Sequence, residues 1–344
     1  MGNLEVAVVE TDSAIPRWRG FNLLEMFTTG SSGVFAEDDF RWISEWGFDF
    51  VRIPACYTLW TVGDDPYAVS EEGLERIDRV IELGGRYGLH VSFNFHRGPG
   101  YSVNDERIEP FNLWKDQEAL DAFCYHWELL ARRYVGIPSA RLSFDLVNEP
   151  PDPAHGRLPH YPMDRDDHER VVRAAVATIR ASDPDRLIIA DGMGYGRIAS
   201  PELADTGIAQ SCRAYDPMGV SHYRARWVNG TDWPLPEWPG GYHYGERWDR
   251  ARLAAHYEPW VDLKRNGIGV HCGEAGAYNS TPHDVVLAWF EDVLGVLSVN
   301  GIGYALWNFR GPFGILDSAR NDVAYEEWYG HHLDREYLAL LQRY

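Results

Sequence analysis

The sequence predicts an α/β fold, a single (β/α)8 barrel filling residues 1–344, and three observations carry that expectation. A short apolar strand, a polar loop and an amphipathic helix recur along the chain, a pattern that implies parallel strands joined by right-handed crossovers. No GxGxxG follows the first strand, which disfavours the doubly wound dinucleotide-binding sheet. The 344 residues exceed the roughly 250 of a minimal barrel. The surplus falls after strands 3, 4 and 6, and no linker or low-complexity tract divides the chain.

The elements follow in order. Strands are expected at RGFNL (19–23), FDFVRIP (48–54), LHVSFNFH (89–96) and RLSFDLVNE (141–149). The second half adds RLIIADG (186–192), MGVSHYR (218–224), GVHCGEAG (269–276) and GYALWNF (303–309). Each is a short apolar run bounded by turn residues. Between them DDFRWISEWG, EEGLERIDRVIELGGRYG and KDQEALDAFCYHWELLARRYVG place apolar residues at i, i+3, i+4 and i+7, the helical spacing. DHERVVRAAVATIRASDP, DRARLAAHYEPWVDLKRNG, PHDVVLAWFEDVLGVLSVNG and EEWYGHHLDREYLALL do the same, while strand 5 is followed only by the weak candidate PELAD.

Composition narrows the partners. Hydrophobic residues at 45% suffice for a large core, and 14 tryptophans invite a search for a binding surface. With 32 basic against 52 acidic residues the net charge is -20, which disfavours nucleic acid and anionic membranes as partners. The opening MGNLEVAVVETDSAIPRWRG has no basic-then-apolar leader, so a cytoplasmic location is expected, or a secreted one if a leader has been removed. Cys56, Cys124, Cys212 and Cys272 lack CxxC spacing and read as reduced thiols. RGFNLLEM lacks a His-x-His pair, and His331 and His332 are adjacent in a segment read as helical, a poor ligand geometry. Neither a metal nor another cofactor is expected, and the sequence does not specify an oligomeric state.

A barrel of this kind carries its active site at the C-terminal ends of its strands. Those ends hold Arg52, His96, Asn148 with Glu149, His222 with Tyr223, Glu274, and Trp307 with Asn308. Two carboxylates on separate strand ends suit glycoside hydrolysis, where one group donates a proton and the other stays ionised. Glu149, ahead of Pro150, is the candidate for the protonated role. Glu274 is expected to be kept ionised by Arg52 and Tyr223, with Gly273 and Ala275 leaving room for a sugar ring. Singly, Glu149 can be read as a structural ion-pair partner, Arg52 reads equally well as a barrel-core salt bridge, and the histidines read more readily as core residues; together they point to a site. Trp114 and Trp233 are the loop tryptophans singled out as sugar contacts, each balanced against plain packing.

The ordered set VRIP, NFHR, LVNEP, SHYR, CGEAG and LWNF resembles glycoside hydrolase family 5, from about Arg19 to Asp317. The resemblance implies a retaining barrel enzyme with Glu149 as acid/base and Glu274 as nucleophile. It further implies that Asn148 binds the sugar 2-hydroxyl, that Arg52 and Tyr223 hold the nucleophile, and that His222 stands near the acid/base. His96 would hydrogen-bond the sugar and Trp307 would stack beneath it. Expected substrates are β-linked gluco- or manno-configured oligosaccharides, short or attacked from an end. The alternatives are an endo-acting glucanase or mannanase and a catalytically silent carbohydrate-binding barrel. Two departures stand out: Arg97 after the strand-3 histidine, and the tryptophan-rich segment 224–248.

Overall fold

The structure, a computed structural model, describes residues 15–104, 108–154, 160–228 and 230–344. Eight parallel strands form the barrel wall: Arg19–Asn22 (β1), Phe50–Cys56 (β2), His90–Gly98 (β3) and Leu142–Asp145 (β4). Leu187–Asp191 (β5), Ala209–Ala214 (β6), Val270–Ala275 (β7) and Gly303–Leu306 (β8) complete it. Each strand pairs with its sequence neighbours, and β8 returns to β1, so the sheet closes without an edge.

Outside the wall lie Glu37–Glu45 (α1), Glu71–Arg86 (α2), Gln117–Tyr134 (α3), Arg165–Ser182 (α4), Arg250–Arg265 (α5), His283–Val299 (α6) and Arg335–Arg343 (α7). Their starts are written in the chain: Ser70, Asp164, Asp249 and Asp334 each accept a backbone N–H of the first turn. After β5 no long helix forms. PELAD makes a single 3₁₀ turn, Pro201–Thr206, stopped by Gly207 in the left-handed region.

Three expectations need correction. Strand 6 is AQSCRA, not MGVSHYR; the latter holds a helical turn, Met218–Ser221. Gln210, Ser211 and Arg213 are buried in that strand, so its polarity hid it from a search for apolar runs. The first residues of EEWYGHHLDREYLALL form a hairpin, Glu326–Trp328 with His331–Leu333, and the segment is helical only from Arg335 on. The excursion after β8, residues 307–334, therefore joins those after β3, β4 and β6 as an enlarged loop.

The two ends of the barrel differ in chemistry. The N-terminal end is plugged by Trp18, Phe50, His90 and His271, with Trp18 stacked on His90 at 3.7 Å between ring centroids. Burial pushes both histidines down to about 3, so they pack there as neutral rings. Toward the C-terminal end the interior turns polar: Asn22, Arg52, Asp145, Asp191 and Arg213 are all buried.

Candidate active site

Two arginines organise the polar end. Arg52, on β2, donates from Nε to Asp145 at 2.7 Å, from Nη1 to Glu274 Oε1 at 2.7 Å and from Nη2 to Asn148 Oδ1 at 2.9 Å. Arg213, on β6, donates to Glu149 Oε1 at 3.1 Å and to Asn148 Oδ1 at 2.9 Å, pairs closely with Asp191, and lies 3.4 Å from Glu274 Oε1. Guanidinium groups suit this position because their planar fork serves several acceptors at once and stays charged. Charges buried this deeply are tolerated only when paired and hydrogen-bonded, and here each guanidinium meets more than one carboxyl group.

The strand register sets this arrangement. Cys272 pairs with Cys212 and Glu274 with Arg213, so β7 carries one extra residue, Gly273, against β6; it also slips against β8. A bulge of this kind re-aims the side chain that follows it. A Cβ at Gly273 would come within 2.6 Å of Ser211 Oγ and 2.9 Å of Arg213 Nη1. The room that Gly273 leaves is thus taken by the arginine layer rather than by a sugar ring, and Ala275 is fully buried.

Glu149 follows β4 with φ of 49°, a left-handed conformation that is unfavourable for a non-glycine residue. Its backbone is held on both sides: its N–H donates to Asp191 at 2.9 Å, and its carbonyl accepts from Tyr101 at 2.6 Å. Its side chain is 16% exposed against 4% for Glu274. Burial, then the charge of Glu274, push the Glu149 carboxyl up to about 7, against the opposing pull of Arg213. Asp191 behaves oppositely: burial would raise it, but Arg213 and Arg52 hold it below the usual carboxylate range.

Glu274 accepts from Arg52 on Oε1 and from the hydroxyl of Tyr215 on Oε2, at 2.9 Å. The tyrosine on the nucleophile candidate is therefore Tyr215 and not Tyr223. Tyr223 lies eight residues further on, beneath the guanidinium of Arg224 at 5.1 Å. His222 turns its ring edge to Tyr215 at 5.0 Å and bonds Ser221; among the described residues it makes no hydrogen bond to Glu149.

Asn148 receives both arginines on Oδ1, which fixes its amide, and its Nδ2 has no partner among the described residues. A buried donor left open beside two carboxyl groups is positioned to meet a hydroxyl. His96 and Trp307 stack 5.6 Å apart, with Phe27 against both. Burial first, then Arg52 and Arg213, hold His96 well below its ordinary value, so it is a neutral ring. Asn308 is buried beside Trp307, with Oδ1 unpartnered among the described residues.

Trp114 does not reach the site. It is fully buried, edge-on to Tyr101 at 5.2 Å, a packing role. Trp233 is half-buried in a cluster with Tyr215, Met218 and Phe313, close to the site. Arg97 is spent on a buried ion pair with Glu109 at 2.8 Å. His331 and His332 lie on a strand, where adjacent side chains take opposite faces, and His331 bonds Asp317. No three His, Cys, Asp or Glu side chains among the described residues are grouped to hold a metal ion.

Arg213, Tyr215 and Asp191 were missed by the sequence reading. The available signal was RAY ahead of Asp216-Pro217: Arg213 and Tyr215 are two residues apart, the spacing that puts side chains on one face of a strand.

The family model described as Cellulase (glycosyl hydrolase family 5) matches residues 9–311. A solved structure described as a glycoside hydrolase is 40% identical, with a TM-score of 0.90, covering 95% of this chain and 99% of its own. Endoglucanase C of Acetivibrio thermocellus is 25% identical over 323 residues, 84% of this chain and 88% of that enzyme. Cellodextrinase A of Ruminococcus flavefaciens is 26% identical over 279 residues, 77% of this chain and 76% of its own length.

Proposed function

Because this chain belongs to glycosyl hydrolase family 5 and is a glycosidase acting on O-glycosyl bonds, we propose that it is a retaining β-glycosidase of gluco- or manno-configured oligosaccharides. The observation that carries the reading is the unlike setting of two glutamates, Glu149 bonded by Arg213 and Glu274 by Arg52. Glu149 is raised to about 7 and so retains a proton near neutrality, while Glu274 is held by a guanidinium and a phenol.

In the first step a Glu274 carboxylate oxygen attacks the anomeric carbon. The glycosidic C–O bond breaks, and the leaving oxygen takes the proton of Glu149. In the second step Glu149, now ionised, removes a proton from water, whose oxygen displaces Glu274 from the sugar. Asn148 Nδ2 meets the 2-hydroxyl, and Trp307 offers its ring face to the sugar.

Short chains attacked from an end suit the enlarged residues 215–249, which bring Trp227 and Trp233 up to Tyr278 and Phe313 on one side of the site. The similarity to a cellodextrinase supports the same reading. Internal cleavage is the second reading, favoured by the similarity to endoglucanases.

A panel of nitrophenyl β-glycosides and matched oligosaccharides tests the assignment. Glu274→Ala is expected to lose more than about 10³-fold in kcat and, with azide, to yield the α-glycosyl azide. Proton NMR of the first product is expected to show the β-anomer. Release of the α-anomer, or full activity in Glu274→Ala, ends the reading.

A further inference from the structure

Beside the catalytic pair, a cavity of about 540 Å³ is lined by Arg224, Arg226, Trp227, Thr231, Tyr278 and Ser280. It adjoins the site through rings. Trp227 meets Tyr278 edge-on at 5.1 Å and His222 at 6.0 Å, and His222 in turn meets Tyr215, the partner of Glu274.

Three features of this cavity bear on what it could hold. Most exposed arginines elsewhere are matched by acids, as Arg79 is by Glu37 and Arg247 by Glu237; Arg141 and Arg170 are isolated exceptions. Arg224 and Arg226 are exposed too, yet among the described residues neither guanidinium meets a carboxylate. Trp227 is 60% exposed, although most tryptophans here are buried or half-buried. Arg224 has φ of 61°, a conformation that costs a non-glycine residue on the order of 1–3 kcal/mol and is kept only where the surroundings impose it. They do so here: Arg224 N–H donates to Gly230, Gly230 N–H to Ala225, and Tyr278 N–H to Ser221, which fixes the loop against the turn after β7.

In a molecule of net charge -20 the long-range field opposes any anion, so two open guanidinium groups around a sugar-sized cavity are a local reversal of sign. Guanidinium forks match carboxylate and sulfate oxygens, and an exposed indole offers a face to a pyranose ring. We propose that this cavity binds an anionic substituent of the glycan, a uronate carboxylate or a sulfate ester, through Arg224 and Arg226 with its sugar ring against Trp227. The site rests on the glycosidase reading and adds a substrate class to it.

The test is calorimetric titration of the Glu149→Gln protein with three oligosaccharides of one β-linked backbone: neutral, glucuronate-bearing and sulfated. At low salt at least one charged form is expected to bind about tenfold more tightly than the neutral one. The arm that gains identifies the anion. The advantage is expected to vanish in about 0.5 M salt, where screening shortens to a few Å, and in the double variant Arg224→Gln, Arg226→Gln. Equal binding of all three sugars, or a preference that survives high salt, overturns the proposal. Should the double variant fold poorly, the salt titration of the otherwise intact protein still decides. Loss of the charge preference while the nitrophenyl panel is hydrolysed refutes this site alone. An inert panel with the preference intact refutes the glycosidase reading instead.

Discussion

Glu149 shows how much one residue's chemistry depends on where the chain puts it. An ordinary glutamate would be fully ionised near neutrality and useless as an acid; burial and the nearby Glu274 raise this one to about 7. In the proposed mechanism Glu149 must carry its proton for the first step, so kcat/KM is expected to fall as pH rises through about 7. Glu149→Gln is expected to lose that alkaline limb along with most of the rate on poor leaving groups. A limb unmoved in Glu149→Gln would assign the titration elsewhere. The placing of Glu149 and Glu274 toward the C-terminal ends of their strands was legible in the sequence because each closes an apolar run. The strain at Glu149, and the two hydrogen bonds that hold its backbone, were not, since both arise from distant residues, Tyr101 and Asp191.

At the scale of elements, seven of the eight strands and most helices were legible, because apolar periodicity marks whatever packs against the hydrophobic layer. β6 was not. Its buried residues include Gln210, Ser211 and Arg213, which serve an interior polar layer, so the usual sign of a strand is inverted there. The error moved the tyrosine that bonds Glu274 by eight positions, from Tyr223 to Tyr215. Tyr215→Phe is expected to lower kcat about 10- to 100-fold, the loss of one hydrogen bond to a charged group, whereas Tyr223→Phe is expected to stay within about threefold. Steady-state kinetics on one nitrophenyl glycoside would reverse the placement if Tyr223→Phe proved the more damaging. The bulge at Gly273 was equally hidden, since only the pairing of β7 with both neighbours reveals it.

For the whole molecule, buried histidines dominate the response to acid. His90, His222 and His271 are pushed down to about 3, and His126 and His168 to about 4, each chiefly by burial. Unfolded, each takes up a proton near 6.5. The unfolded chain therefore binds more protons than the folded one below that value, and stability falls as pH drops from about 6.5 toward 4. Glu25 and Glu149, raised to about 7, and Asp145, raised to about 6, act in the opposite sense as pH rises from about 4.5 to 7. The five histidines outnumber these three carboxyls, so the urea midpoint is expected to be lower at pH 5 than at pH 6.5. A midpoint that rises on acidification would mean that the carboxyls prevail. None of this was legible in composition alone, because thirteen histidines say nothing of which are enclosed.

The two buried arginines hold four carboxyl groups between them: Asp145, Asp191, Glu149 and Glu274. With Glu149 protonated the cluster carries one negative charge in excess, and with Glu149 ionised it carries two. In the proposed mechanism, a sugar ring that turns cationic at its anomeric carbon thus meets a cage already of opposite sign. The same cage is expected to discriminate among inhibitors: a ring with a protonated nitrogen should be drawn in more strongly once Glu149 has given up its proton, while a neutral lactone of the same shape should gain nothing from the change.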